Sequence, residues 1–240
     1  MKFSIIIEAR LGSSRLPKKI IYKIKKYTFL EYLLKKLKKI KYIDEIIVAT
    51  TKKNEDTKIV NIAKKNKVKF FRGSEKNVLK RVIDTGKKFN CENIIRITSD
   101  CPLVDNSIIE KLLFKFKKDK YDYISNIIYR SYPDGMDVEV FSLKALIKSR
   151  KYSNSKKSKE WITWNIRNNL KDFKTYNLKA KRNLFWPELG LTLDQIEDYK
   201  LLKKIISYFN EKLDISCFEI IKLLKKKNWT NINKNVKRNN

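Results

Sequence analysis

Short apolar runs that stop abruptly at charged or small polar residues, each followed by an amphipathic helix, constrain this chain more than any other feature. FSIII (3–7), DEIIVATT (44–51), KVKFFRG (67–73) and NIIRITSD (93–100) are strands by composition. Between the first two, TFLEYLLKKLKKI (28–40) carries a Thr-x-x-Glu capping box and sets Leu30, Leu33, Leu34, Leu37 and Ile40 on one face. EDTKIVNIAKKN (55–66) is the next helix, and one starting at Ser74 groups Val78, Leu79, Val82 and Ile83. Such alternation predicts an α/β fold with a mostly parallel central sheet flanked by helices.

The second half is less regular. SIIEKLLFKFKK reads as a helix, DYISNIIY as a strand, YPDGMD as a turn and VEVF as a strand. Helices are expected near 142–150 and 158–170, then a short strand GLTLD (190–194), the helix EDYKLLKKIISYFN and a last helix over about 216–227. With no repeat and no Gly/Ser linker, residues 1–229 are expected to form a single domain. The Asn/Lys-rich stretch 230–240 is expected as a basic, frayed tail.

In an open parallel sheet, ligands bind beyond the carboxyl ends of the strands. Those ends read EAR, ATT, FRG, TSD and TLD, so polar chemistry gathers along one edge. The first loop offers Arg10, Gly12, Ser13, Ser14, Arg15 and Lys19. Its glycine and serines let backbone N–H groups approach a phosphate, and its three cations supply charge-assisted bonds, although it is no Walker A loop. A solvated polar loop is the plainer alternative.

Asp100 and Asp194 each close a predicted strand, and two such carboxylates could share one Mg²⁺ or Mn²⁺; each is equally an ordinary cap. YPDGMDVEVF sets Asp134, Asp137 and Glu139 around a tight turn, as site acids or as the solvated acids of a hairpin. Arg72, Arg81 and Arg96 belong to strand ends or helix faces beside the same edge.

Composition removes whole classes of chemistry. The chain has no histidine, which excludes Ser-His-Asp triads, Cys-His pairs and His-ligated zinc. Its three cysteines, Cys91, Cys101 and Cys217, are widely spaced and fit reduced thiols. No window approaches the roughly 18 to 20 apolar residues of a membrane span, and the first apolar run stops at Glu8. A cytoplasmic protein without a membrane partner is therefore expected.

The net charge of +31 invites a nucleic-acid partner. Yet only ten of the 57 basic residues are arginine, and the lysines spread over nearly every helix. Compositional drift towards Lys, Ile and Asn accounts for that better than a binding stripe, so no nucleic-acid partner is expected. The scarce arginines become the informative basic residues.

Taken together, EARLGSSRLPKK, FRGSEKNVLKR, RITSDCPLVD, YPDGMDVEVF and LTLDQIEDYKLL resemble the cytidylyltransferases typified by the spore-coat polysaccharide biosynthesis protein F group. They are more distantly similar to the CMP-KDO and CMP-N-acylneuraminate synthetases. The resemblance runs in order from the N-terminus to about residue 210. It implies a nucleotidyltransferase fold of the glycosyltransferase-A, Rossmann-like kind. It also implies CTP as donor, Mg²⁺ as cofactor, a surface-glycan precursor such as a sugar acid as acceptor, and pyrophosphate as product.

Carried over by position, Arg10 and Arg15 match phosphate-contacting arginines, and Lys19 the lysine of an RLPxK motif. Asp100 matches the first metal-binding aspartate, and Asp194 opens a D-x-x-x-D segment. Arg15, Lys19 and Asp100 are thus the catalytic candidates, and Asp100 with Asp194 the metal ligands. Arg10, Gly12, Ser13, Ser14, Arg72, Arg81 and Arg96 are the nucleotide-binding candidates, and Asp137 and Glu139 face the acceptor. A homodimer through 130–190, as in related synthetases, is left open.

The chain departs from the family pattern at Glu8 (usually Gln), Lys18 (usually Gly) and Trp161 (usually the His of an EHVT motif). Two other readings of the same residues are a glycosyltransferase of similar fold and a non-enzymatic polyanion-binding protein.

Overall fold

The computed structural model of the chain describes residues 1–153 and 155–238. These residues form a seven-stranded sheet. Its parallel half consists of β1 (Phe3–Glu8), β4 (Glu45–Thr51), β5 (Lys69–Gly73) and β6 (Asn93–Thr98). A small antiparallel hairpin, β2 (Lys23–Ile24) with β3 (Tyr27–Thr28), stands apart from the sheet. Beyond β6 come β7 (Tyr123–Ser125), β8 (Glu139–Ser142) and β9 (Thr175–Asn177), with β8 antiparallel to both β6 and β7 and β9 parallel to β7.

The spatial order is β5-β4-β1-β6-β8-β7-β9, so connections leave β1 and β6 in opposite directions and open a crevice between their carboxyl ends. Continuous apolar runs such as Ile5, Ile6 and Ile7 suit strands covered on both faces. On one face pack α1 (Phe29–Leu37), α2 (Thr57–Lys65), α4 (Asn106–Asp119), α8 (Ile196–Tyr208) and α9 (Cys217–Lys227). On the other lie α3 (Val78–Lys88), α5 (Leu143–Lys148), α6 (Lys156–Glu160) and α7 (Trp164–Arg167). The expected capping box forms at α1, where Thr28 and Glu31 bond reciprocally. All three cysteines are buried thiols. Among the described residues no helix is long and apolar enough to cross a membrane.

Several expected elements differ. The helix expected over 158–170 breaks at Trp161, whose backbone is extended, because Ile162 and Thr163 turn inward, the latter to donate to Glu139. GLTLD does not join the sheet: Asp134 and Gly190 form an isolated bridge, and Leu193 donates to the Asp100 carbonyl. The 230–238 part of the expected tail folds back onto the domain, with Asn233 buried and Arg238 paired with Asp198. Residues 239–240 lie outside the described residues.

Candidate active site

The first loop hangs from two buried side chains, Leu11 and Leu16, with Gly12, Ser14 and Arg15 turned to solvent. Asp56, almost fully buried, holds it in place: Oδ1 accepts the Leu11 N–H at 2.8 Å, and Oδ2 accepts from Thr51 Oγ1. The N–H groups of Ser13 and Lys18 both turn back to the Leu11 carbonyl at 2.9 Å. Lys18 closes the loop with φ of 60°, the left-handed region. A glycine enters that region freely, so geometry explains the usual residue there.

Lys19 follows and turns inward. Its Nζ lies 2.9 Å from Asp100 Oδ2 and 2.8 Å from Asp194 Oδ1, and Arg15 Nη2 lies 2.9 Å from the same Asp194 oxygen. The two carboxylates expected to share a site therefore meet around one point. Three backbone bonds bring them there. Leu193 N–H to Asp100 O (2.8 Å) fixes one chain segment beside the other. Asp134 N–H to Leu189 O (2.9 Å) and Leu191 N–H to Asp134 O lock the Pro-Asp-Gly turn against the 189–191 stretch. Gly135, with φ of 106°, has no room for a Cβ, which would sit 2.6 Å from the Leu191 carbonyl carbon.

Electrostatics favour the charged forms of Asp100 and Lys19. Burial pushes the Asp100 carboxyl up, but the Lys19 ammonium and hydrogen bonds outweigh it and hold Asp100 below the ordinary range. Burial likewise works against the Lys19 charge, and the two aspartates overcome it, leaving the ammonium above its ordinary value. Asp134 behaves oppositely: desolvation, helped by Asp137, pushes it up to about 6.

The remaining candidates divide. Arg10 is exposed at the loop's start, and Glu75 lies near enough to feel its charge. Arg72, Arg81 and Arg96 are spent on the protein itself. Arg72 donates to the Thr51 and Lys53 carbonyls at 2.9 and 2.6 Å, closing the end of β4. Arg81 is buried against Gly73 and donates to the Ser74 carbonyl at 2.7 Å. Arg96 lies between Glu8, at 2.5 and 3.3 Å, and Glu139.

Glu139 is 2% exposed, and its oxygens are taken by Arg96, Tyr123 and Thr163, so it presents nothing to an acceptor. Asp137 is partly exposed and pairs with Arg130 through two 2.9 Å bonds. The departures at 8 and 161 also acquire a setting: Glu8 gives Arg96 two carboxylate oxygens, and Trp161 packs edge-on against Trp164 with centroids 5.2 Å apart.

Sequence reasoning missed Asp56, Arg130, Thr192 and Asp198. Arginine scarcity was a signal for Arg130, and Asp198 closes the D-x-x-x-D segment that Asp194 opens, but nothing in the spacing marked Asp56 or Thr192. Among the described residues no group of three or more Asp, Glu or Cys side chains is arranged to hold a metal ion. The pair Asp100 and Asp194 is a hard-oxygen set that fits Mg²⁺, which commonly binds through one or two carboxylates with water and phosphate oxygens completing its shell.

A family model described as cytidylyltransferase matches residues 4–234. The chain belongs to the cytidylyltransferase family. It is 39% identical over 240 residues to an uncharacterized protein of Methanocaldococcus jannaschii, covering 99% of this chain and 96% of that one. It is 31% identical over 227 residues to the spore coat polysaccharide biosynthesis protein SpsF of Bacillus subtilis, covering 91% and 92%. A solved cytidylyltransferase from Leptospira borgpetersenii superposes with a TM-score of 0.90 at 35% identity, covering 100% of both chains. This cytidylyltransferase therefore has the nucleotidyltransferase fold of its relatives, and its class is that of a nucleotidyl-transferring enzyme.

Proposed function

We propose that this cytidylyltransferase transfers the cytidylyl group of CTP to a small acceptor of the sugar-acid kind, for glycan assembly, and releases pyrophosphate. The observation that carries the reading is the meeting of Arg15, Lys19, Asp100 and Asp194 at the crevice between β1 and β6. Two cations and two carboxylates there can each bind the opposite face of a metal–triphosphate. SpsF's name, with its reference to polysaccharide biosynthesis, supports an acceptor from surface-glycan chemistry.

Asp100 and Asp194 would hold Mg²⁺, which when bound offsets charge on the phosphoryl oxygens during transfer. A triphosphate offers Arg15 and Lys19 a denser negative charge than single carboxylates do. In the reaction the acceptor hydroxyl oxygen bonds to the α-phosphorus as the bond to the bridging oxygen breaks, and the hydroxyl proton passes to solvent. Arg15 and Lys19 stabilise the pyrophosphate that leaves with the electron pair, and the exposed backbone at Gly12 and Ser14 orients the phosphates, while the Ser13 N–H is held by the Leu11 carbonyl. The chain has no histidine, so positioning and electrostatics carry the step.

Thermal melting tests donor binding. CTP with Mg²⁺ is expected to raise the midpoint more than UTP, ATP or GTP, because a ligand of the folded state stabilises it. Equal shifts from all four would contradict CTP as donor. A shift only with nucleotide sugars would point to glycosyl transfer.

A further inference from the structure

Asp198 is completely buried, and besides capping α8 at Gln195 it bonds to Asp194 and to the segment beyond α9. Its Oδ2 accepts the backbone N–H of Asp194 at 3.1 Å and of Gln195 at 2.9 Å. Its Oδ1 accepts from Asn233 Nδ2 at 2.8 Å and from Arg238 Nη2 at 2.7 Å. A buried carboxylate needs such partners, and truncating one leaves it under-compensated. Asn233 Nδ2 also donates to the Gly190 carbonyl at 3.0 Å.

A second path runs through Thr192. Arg238 Nη1 donates to Thr192 Oγ1 at 2.8 Å, which consumes an acceptor site of the hydroxyl and turns its own hydrogen outward. The acceptors within reach of that hydrogen are Asp194 Oδ2 and Asp134 Oδ2, each 3.4 Å away. Gly190 completes the picture. A Cβ there would fall 1.9 Å from Arg238 Cζ, while its backbone is outside the left-handed region. The position is glycine because a guanidinium lies on it.

We propose that Arg238, with Asn233, is a positioning residue for Asp194, holding that carboxylate's backbone through Asp198 and its side chain through Thr192. The segment after α9 is thereby part of the active-site architecture, with Asn233 and Arg238 lying 39 and 44 residues beyond the aspartate they serve. The functional half of this inference rests on Asp194 being a metal ligand, as in the reading above; the structural half does not.

The test compares wild type with Arg238→Ala, Arg238→Lys and Asn233→Ala by amide hydrogen exchange, Mn²⁺ affinity in the presence of CTP, and steady-state kinetics. Arg238→Ala is expected to accelerate exchange at Asp194 and Gln195 while the β1 and β6 amides stay protected. It should weaken Mn²⁺ binding about tenfold and lower kcat with little change in acceptor KM. Arg238→Lys should recover part of the affinity, and Asn233→Ala should show a smaller loss.

Unchanged exchange at residues 194–195 in folded Arg238→Ala would overturn the inference, as would faster exchange with Mn²⁺ affinity and kcat within twofold of wild type. If wild type itself neither binds Mn²⁺ with CTP nor turns over, the functional reading fails, and exchange still decides whether Arg238 holds Asp194. A variant of Arg238→Ala that does not fold leaves Arg238→Lys and Asn233→Ala to give the same answers.

Discussion

The backbone N–H of Leu193 donates to the carbonyl of Asp100 at 2.8 Å. This one bond sets two distant segments side by side, and their next side chains, Asp100 and Asp194, converge on Lys19. Within the crevice between β1 and β6, the two aspartates are therefore brought together by a loop crossing rather than by strand pairing.

The loop that supplies Lys19 carries a local strain. Lys18 occupies the left-handed region, which for a residue with a Cβ costs about 1–2 kcal/mol. Lys18→Gly keeps the N–H bond to Leu11 and is expected to raise stability by a net of about 0.5–1 kcal/mol, since glycine's added freedom when unfolded offsets part of the gain. Urea denaturation should show a higher midpoint with an unchanged slope. A lower midpoint would mean that Lys18 makes a compensating contact.

Arg96 is expected to matter for stability ahead of nucleotide binding. Arg96→Met leaves Glu139, 2% exposed, without its cation beside it, and loss of one partner of a buried pair costs about 3–5 kcal/mol. Glu8→Gln should cost far less, since Glu8 is more exposed and a glutamine keeps one acceptor for Arg96. Chemical denaturation of both variants checks the order. A large loss of nucleotide affinity in a fully stable Arg96→Met would restore the arginine to the binding site.

Asp134 should leave a signature in the pH dependence of stability. Its carboxyl is raised from 3.8 to about 6, so the folded state binds the proton more tightly than the unfolded chain. The sign follows from linkage: stability from this group is fully present below about pH 4 and falls as pH rises through 6. Asp134→Asn is therefore expected to be more stable than wild type at pH 7, by on the order of 1–3 kcal/mol, with the difference vanishing near pH 4. Denaturation midpoints across that range in EDTA check it; a difference independent of pH would contradict it.

The parallel half of the fold was legible because its apolar periods coincide with the sheet. Ile5 to Ile7, Val48 and Ile95 are core residues of neighbouring strands. GLTLD misled because Leu191 and Leu193 alternate inward as in a strand, while its hydrogen bonds go to the Pro-Asp-Gly turn and to Asp100. At the site, Arg15, Lys19, Asp100 and Asp194 lay at motif positions and do converge. Arginine scarcity marked Arg72, Arg81 and Arg96 as important without showing that their charge serves carbonyls and buried glutamates. Asp56 carried no legible signal, and Asp198 only its place in the D-x-x-x-D segment, since each acts through backbone N–H groups that only the folded chain brings to it.

The proposed cytidylyl transfer turns on Asp100 and Asp194 forming one metal–triphosphate site. Pyrophosphate release should be measured with CTP, UTP, ATP and GTP and Mg²⁺ across a panel of sugar acids and phosphorylated acceptors, for wild type, Asp100→Asn and Asp194→Asn. The account predicts release with CTP and at least one acceptor, falling at least about 100-fold in each variant, as expected when a group that stabilises transferring phosphoryl charge is lost. No release with any nucleotide–acceptor pair, or release undiminished in both variants, would contradict it.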